Sequence, residues 1–376
     1  MKILFLDTSP IRRGAQVFIS ELADYLSRSG HETFRVYLYK AEKSASKLPI
    51  RSQGLVLNFD SKNLFEKIPT IQPVLLKRLI EGIKEISPDI ILLNGSRTLK
   101  YGAAAKQFLP KRIRWVSRII DNAEFWNAGK FTHWYYKSLV IPQLDASIGV
   151  SQASLDSMIR HYNFKKPTTV IYRVFDPRKF KNAPSRQAGR KDLGLDENDE
   201  VLLFLGNLTA QKRPDRFLEI IQKLAKTRPQ LKALVVGDGD LGVSIKSQIS
   251  NLQSQTFFFG YQQDVSPYLA AADLLILTSD TEGLPGVVLE AAYFEVPTIA
   301  TEVGGIRECL IDGETGYLIP DRSVDAFCQK INQLFDQPNQ RIQLGQNAKK
   351  FTSEHFRMDK VAQHYLDFFQ QIINHP

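Results

Sequence analysis

The segment SDTEGLPGVVLE at residues 279–290 carries the densest chemistry of the chain: two carboxylates, Glu282 and Glu290, flank a glycine-proline turn that follows the apolar run LLIL after a single threonine. The order reads as strand, turn, helix. In open parallel sheets, ligands bind beyond the carboxyl ends of the strands, and a helix starting near Pro285 directs its free backbone N–H groups there. That environment suits a diphosphate, to which a helix dipole contributes about 0.3–1 kcal/mol per charge. Glu282 in the turn and Glu290 on the helix are then placed to accept hydrogen bonds from sugar hydroxyls on either side of the phosphates.

Three more loops point to the same place. GNLTAQKRP at 206–214 follows a strand and precedes a helix, which brings Lys212 to where it could neutralise the same phosphates. GDG at 237–239 follows the next strand, and GGIRE at 304–308 follows the strand after the two-glutamate helix, where glycines permit close approach of the backbone. Glycine as a plain helix-boundary residue explains any one of these loops but needs four coincidences to explain them all.

The elements that must hold these loops are legible as alternation. Short apolar runs at 3–6, 33–38, 90–93, 114–119 and 146–150, then at 201–205, 233–236, 256–259, 274–277 and 297–300, are separated by amphipathic stretches. Continuous apolar strands between amphipathic helices indicate parallel sheets covered on both faces, hence two doubly wound Rossmann-like domains. The rhythm breaks between 165 and 200, where Pro167, Pro177, Pro184 and the acidic DENDE cluster. The expected division is therefore 1–180 and 181–357. The last helix, near 358–373, carries Val361, Tyr365, Phe368, Phe369 and Ile372 at helical spacing, a face to bury against the first domain as residues 358–376 return to it.

Composition narrows the partners. The 376 residues, 43% hydrophobic and 24% charged, describe an ordinary globular chain with no run approaching the roughly 20 apolar residues of a membrane span. MKILFLDTSP reads as a buried first strand in place of an export signal, and Cys309 and Cys328 lack metal-ligand spacing, so a cytoplasmic location is expected. The net charge of +9 is uneven. Residues 1–180 hold 29 Lys+Arg against 15 Asp+Glu, net +14, while residues 181–376 hold 20 against 25, net −5. A basic half without a nucleic-acid recognition motif faces a membrane surface or an anionic substrate. Two segments combine basic with apolar or aromatic residues, 62–84 and 126–137, and suit peripheral association on an anionic membrane.

These motifs, from about 202 to 317, resemble the donor-binding domain of retaining glycosyltransferases of family four, which have the GT-B architecture of two Rossmann-like domains facing a central cleft. Glu282 and Glu290, separated by seven residues, carry the resemblance most specifically. It implies that Lys212 binds the donor diphosphate, Glu282 the transferred sugar and Glu290 the nucleotide ribose. Backbone groups of Leu284, Gly286 and Val287 would serve the phosphates or sugar, and Gly206, Asn207, Gly237, Tyr261 and Gly283 complete the donor side. In the first half, Gly14 sits where the family has a glycine-rich loop, with Arg13 in place of the preceding glycine. Arg118 lies near where many members have a histidine, and Asn207 replaces an arginine that commonly partners the lysine. Arg13 or Arg118 is then a source of the missing charge, and Glu282, Lys212 and Arg118 are the expected catalytic set.

The resemblance further implies a nucleotide-sugar donor, a glycan or lipid-linked acceptor, no resident cofactor and no metal. Asp238 and Asp240 spell a DxD motif, but in a glycine loop of this series they do not read as metal ligands, and the six histidines show no ligand spacing. A catalytically inactive partner subunit, suggested by Asn207 and the missing histidine, and a nucleotide-sugar 2-epimerase of the same fold are the competing readings.

Overall fold

Apolar runs bounded by turn residues become the strands of two separate sheets. The computed structural model describes residues 1–10, 14–40, 54–59, 71–126, 129–249 and 255–374. These form two compact units, Met1–Val174 with Met358–Pro376, and Phe175–Arg357.

The first unit runs β1 (Lys2–Asp7), α1 (Gly14–Arg28), β2 (Glu32–Tyr39), β3 (Gly54–Phe59), α2 (Pro73–Ile86), β4 (Ile90–Asn94), α3 (Ser96–Lys106), β5 (Arg114–Ile119), α4 (Lys130–Tyr135), β6 (Ala146–Gly149), α5 (Gln152–Tyr162) and β7 (Thr168–Val170). Its sheet has the order β3-β2-β1-β4-β5-β6-β7, with every pairing parallel. Alternate residues of a strand serve opposite faces. Leu4 and Leu6 pack with Leu75, Leu79 and Ile83 of α2 and Leu99 of α3. Ile3 and Phe5 pack on the other face with Phe18 and Leu22 of α1.

The second unit runs α6 (Arg186–Asp192), β8 (Glu200–Leu205), α7 (Pro214–Leu224), β9 (Leu231–Val236), α8 (Gly242–Ile249), β10 (Thr256–Gly260), α9 (Ser266–Ala271), β11 (Leu274–Leu277), α10 (Gly286–Tyr293), β12 (Thr298–Thr301), β13 (Gly316–Ile319), α11 (Val324–Asp336) and α12 (Pro338–His355). The sheet order is β10-β9-β8-β11-β12-β13, again parallel. Helix α7 starts with Pro214 at its first position and buries Phe217, Leu218, Ile220, Ile221 and Leu224, the spacing of a single face. The last helix, α13 (Met358–Asn374), belongs to the first unit, where Val361, Tyr365 and Phe369 join Phe5 and Phe18 in the core. Each such buried side chain contributes about 1.5–3 kcal/mol.

Three strands escape the sequence reading: β3, β7 and β13. All are edge strands. An edge strand pairs on one side only, so a run as short as TTV or GYLI suffices. The division between units also falls earlier than 180, because Phe175 and Phe180 stack at 5.9 Å and both pack on Tyr293 of α10, at 5.2 and 5.7 Å, tying residues 175–180 to the second unit.

Candidate functional site

In each sheet the strand order reverses once, between β1 and β4 in the first and between β8 and β11 in the second. A crevice opens at such a switch point beyond the strand ends. In the second unit it is built by the loop 206–213 after β8 and the loop 278–285 after β11. Two glycines allow it to close-pack. A Cβ on Gly237, at φ +139°, would stand 1.9 Å from the carbonyl oxygen of Gly206, and one on Gly304, at φ +55°, would stand 1.8 Å from that of Glu282. Larger residues would drive the loops apart.

Across this crevice the structure brings Lys212 and Glu282 together: Nζ of Lys212 donates to Oε1 of Glu282. The same oxygen accepts from Oγ of the buried Ser279 at 2.6 Å, and the Ser279 carbonyl accepts from Oγ1 of Thr301 at 2.5 Å. Glu282 is only 6% exposed. Removing one partner of a buried ion pair typically costs about 3–5 kcal/mol, because the other charge is left uncompensated. The pair sits at the switch point with Glu282 buried and Lys212 partly open to solvent.

Sequence reasoning missed the frame behind this pair. Thr278 donates its hydroxyl to the carbonyls of Lys212 and Arg213 at 3.1 and 2.8 Å, and the Asp280 amide donates to the Gln211 carbonyl at 2.8 Å. Gln211 in turn donates to the Thr281 carbonyl at 2.9 Å. Arg213 caps the start of α7 in the left-handed region, at φ +50°. Its guanidinium grips Asp215 through Nε and Nη2, with contacts from 2.7 to 3.0 Å, and reaches Asp280 at 3.2 Å. The buried Arg216 donates to the Thr278 carbonyl and, at 3.0 Å, to Asp280. The hydrogen bonds it donates to Asp215 hold the Arg213 guanidinium above its ordinary pKa. Burial pushes Asp280 upward, but hydrogen bonds from Arg216 and Arg213 outweigh it and leave the carboxyl below its ordinary value. The signal was present in the run KRPDR at 212–216, two arginines and an aspartate at a helix start.

The other residues expected on the donor side follow the strands of the same sheet. Gly283, Leu284 and Gly286 are buried and Val287 is half-buried. Helix α10 begins at Gly286 with no side chain capping its amides, so its first N–H groups stay available to an anion. Glu290 is half-buried, and its carboxylate has no hydrogen-bond or ionic partner among the described residues. Asn207 is exposed, Gly237 is half-buried at the end of β9, and Tyr261 is 53% exposed just past β10. Asp238 of the DxD sequence accepts the Gly239 amide at 2.8 Å within its own loop. Among the described residues no three His, Cys, Asp or Glu side chains are grouped to hold a metal ion.

The first unit treats its switch point differently. Arg118 is buried, not exposed toward a ligand: Nη1 donates to Asn94 Oδ1 at 3.0 Å, Nε donates to the Tyr365 hydroxyl at 3.2 Å, and the guanidinium lies 4.3 Å from the centre of the Phe18 ring. Burial holds its pKa below the ordinary arginine value. Asn94 also donates to Asp7 at 2.5 Å, and Asp7 accepts from the Thr8 amide and from Gln16. Burial pushes the Asp7 carboxyl up to about 6. The residue expected to supply charge to a ligand is thus packed between Tyr365 of α13 and Phe18 of α1. Arg13 lies outside the described residues. Gly14 opens α1, and Arg173 Nη1 would be 3.3 Å from a Cβ placed there; Arg173 Nε is buried without a partner among the described residues. Histidines without ligand spacing in sequence do meet in space: His133 Nδ1 and His161 Nε2 are 3.0 Å apart, and with Glu124, Gly129 and Lys130 they line a cavity of about 260 Å³.

Two doubly wound parallel-sheet units, with Lys212 and Glu282 joined at the switch point of the second, define the GT-B class of fold. The chain belongs to glycosyltransferase family four. The family model described as Glycosyltransferase Family 4 matches residues 12–179, and that described as Glycosyl transferases group 1 matches residues 185–351. N-acetyl-alpha-D-glucosaminyl L-malate synthase of Bacillus anthracis is 29% identical over 237 residues, 62% of this chain and 61% of its own length. UDP-Gal:alpha-D-GlcNAc-diphosphoundecaprenol alpha-1,3-galactosyltransferase of Escherichia coli is 30% identical over 212 residues, 53% of this chain and 54% of its own length. The chain spans about half to three-fifths of the length of the curated relatives it matches first. Among solved structures, HepE of Anabaena in complex with UDP-glucose superposes with a TM-score of 0.83 at 24% identity, covering 99% of this chain and 100% of that one.

Proposed function

We propose that the chain transfers a sugar from a nucleoside diphosphate sugar to an acceptor hydroxyl, with retention of anomeric configuration and without a divalent metal ion. The observation that carries this is the Lys212–Glu282 pair at the β8/β11 switch point, beside the uncapped start of α10. With donor bound, the diphosphate takes Lys212 and the helix amides as its positive partners, and Glu282 turns to the sugar hydroxyls. The bond from the anomeric carbon to the diphosphate oxygen breaks, and the acceptor oxygen bonds to that carbon on the same face. The acceptor proton passes to the departing phosphate. Such chemistry needs charge stabilisation and orientation, both of which these residues suit. Glu290, half-buried and without a partner among the described residues, is assigned to the ribose. A uridine diphosphate sugar is the first donor to try, in view of the HepE complex and the name of the E. coli relative.

The acceptor is assigned to the basic first unit, as a lipid-linked or anionic glycan reached at a membrane surface. Beside the 260 Å³ cavity, Phe131 and Trp134 stack at 5.9 Å while 66% and 53% exposed, with Lys130 and Lys137 on the same stretch. In segment 62–84, residues 62–70 lie outside the described set, and Leu75, Leu79 and Ile83 of α2 cover the sheet. No described helix is long and apolar enough to cross a membrane. Each basic residue near an anionic surface contributes about 1 kcal/mol, screened by salt.

The test is transfer from UDP-sugars in EDTA to acceptors presented in anionic vesicles, read as nucleotide released with product. Stoichiometric release and product formation, with more chain sedimenting at low than at high salt, is the expected result. Nucleotide binding without release under any condition would favour the inactive-partner reading, and sugar conversion without acceptor would favour the epimerase. Activity restored only by magnesium or manganese would overturn the metal-free assignment.

A further inference from the structure

Resting on the transfer reading above, we infer that Asp280 is a positioning residue, which sets the spacing of Lys212 and Glu282 through the arginines gathered on it. Its carboxylate is shared by three guanidinium groups, Arg216 at 3.0 Å, Arg213 at 3.2 Å and Arg322 at 3.6 Å. Each arises from a different place: Arg216 inside α7, Arg213 at its cap, and Arg322 in the turn after β13. Asp280 therefore ties two segments, the start of α7 and the turn after β13, to the loop that carries Glu282 two residues on.

The geometry argues for positioning over ligand contact. With three cations on one carboxylate, its charge is spoken for and does not repel a phosphate at the neighbouring Lys212. The connections run from Asp280 to both members of the pair. On one side, its amide holds the Gln211 carbonyl, the residue before Lys212, and Arg213, the residue after Lys212, is held by its side chain. Lys212 is thus fixed from both of its neighbours. On the other side, Arg216 holds the Thr278 carbonyl and Gln211 holds the Thr281 carbonyl, so the turn leading into Glu282 is fixed as well. Arg213 sits in a left-handed conformation that a non-glycine residue adopts only where its surroundings insist, and its bonds to Asp215 and Asp280 supply that insistence. The consequence of losing Asp280 is a Lys212 that is present but misaimed, and small misplacements in a site of this kind cost rate more than binding.

A double-mutant cycle tests this. Steady-state transfer is measured for wild type, Asp280→Ala, Lys212→Ala and the double variant, with Asp280→Glu as the conservative replacement and the thermal midpoint of each recorded. Asp280→Ala should lower kcat about tenfold or more while donor KM moves less than about threefold. Asp280→Glu should recover most of the rate, and Asp280→Ala should cost little further once Lys212 is already absent. Full additivity of the two losses, or an unchanged kcat for Asp280→Ala in a chain of unchanged thermal midpoint, would overturn the inference. A wild-type chain that transfers no sugar from any donor would instead defeat the functional reading on which it rests.

Discussion

The two units offer the same topological feature, a crevice where sheet order reverses, and furnish it in opposite ways. At β8/β11 the strand ends carry Lys212 and Glu282 in an ion pair whose lysine keeps 21% of its side chain exposed, beside a helix start with no cap. At β1/β4 the strand ends carry Asp7 and Asn94, which are buried and linked to Arg118 and Tyr365 in a chain of hydrogen bonds. Among the described residues, one crevice holds a lysine that stays in part open to solvent, and the other buries Asp7, Asn94 and Arg118 in hydrogen bonds to one another and to Tyr365. Topology supplies the place, and the residues decide whether a ligand is invited.

The sharpest way to break this contrast is Glu282→Gln. The substitution removes the negative charge assigned to the electron-poor transition state and frees Lys212 from its partner. Turnover should fall by roughly 10²–10³, while free UDP binds as well as before or more tightly. Lost UDP affinity with near-normal turnover would reverse the roles given to the two residues.

A smaller effect probes the closed crevice. Burial raises the folded-state pKa of Asp7 to about 6 against an ordinary 3.8, so the folded chain favours the protonated carboxyl. The resulting stabilisation is complete below about pH 4 and is lost as pH rises through about 6, an amount of about 3 kcal/mol for a shift of about two pKa units. Asp7→Asn does not titrate. Its unfolding free energy relative to wild type should therefore rise between pH 4 and pH 7, whatever the constant offset from altered bonds to Asn94, Thr8 and Gln16. A difference independent of pH would mean that Asp7 is ionised without penalty beside Arg118.

Much of the second unit was legible in sequence because its signals are local. Glycines, a proline and two glutamates fall at fixed offsets from apolar strands, and the strands covered on both faces announce themselves as continuous runs. The edge strands β3, β7 and β13 were not legible, since a strand paired on one side needs neither length nor continuous apolarity. The frame around Asp280 was hidden for another reason: Asp280 and Arg216 are 64 positions apart and meet only because β8 and β11 are neighbours. Arg118 shows the reach of distant partners. In sequence it lies in an apolar strand, near where the family resemblance places a histidine, and its hydrogen-bond partner Tyr365 is 247 positions away on the returning helix α13. Long-range partners decide whether a charged residue is a tool or a part of the core.

The central claim is that Lys212 exists to meet a diphosphate. It is tested most directly by calorimetric titration of UDP and of uridine into wild type and Lys212→Ala. Loss of a charged hydrogen bond of about 1.5–3 kcal/mol predicts UDP affinity lowered by roughly ten- to 150-fold, with uridine affinity unchanged. An equal loss for both ligands, or no loss for UDP, would contradict the account.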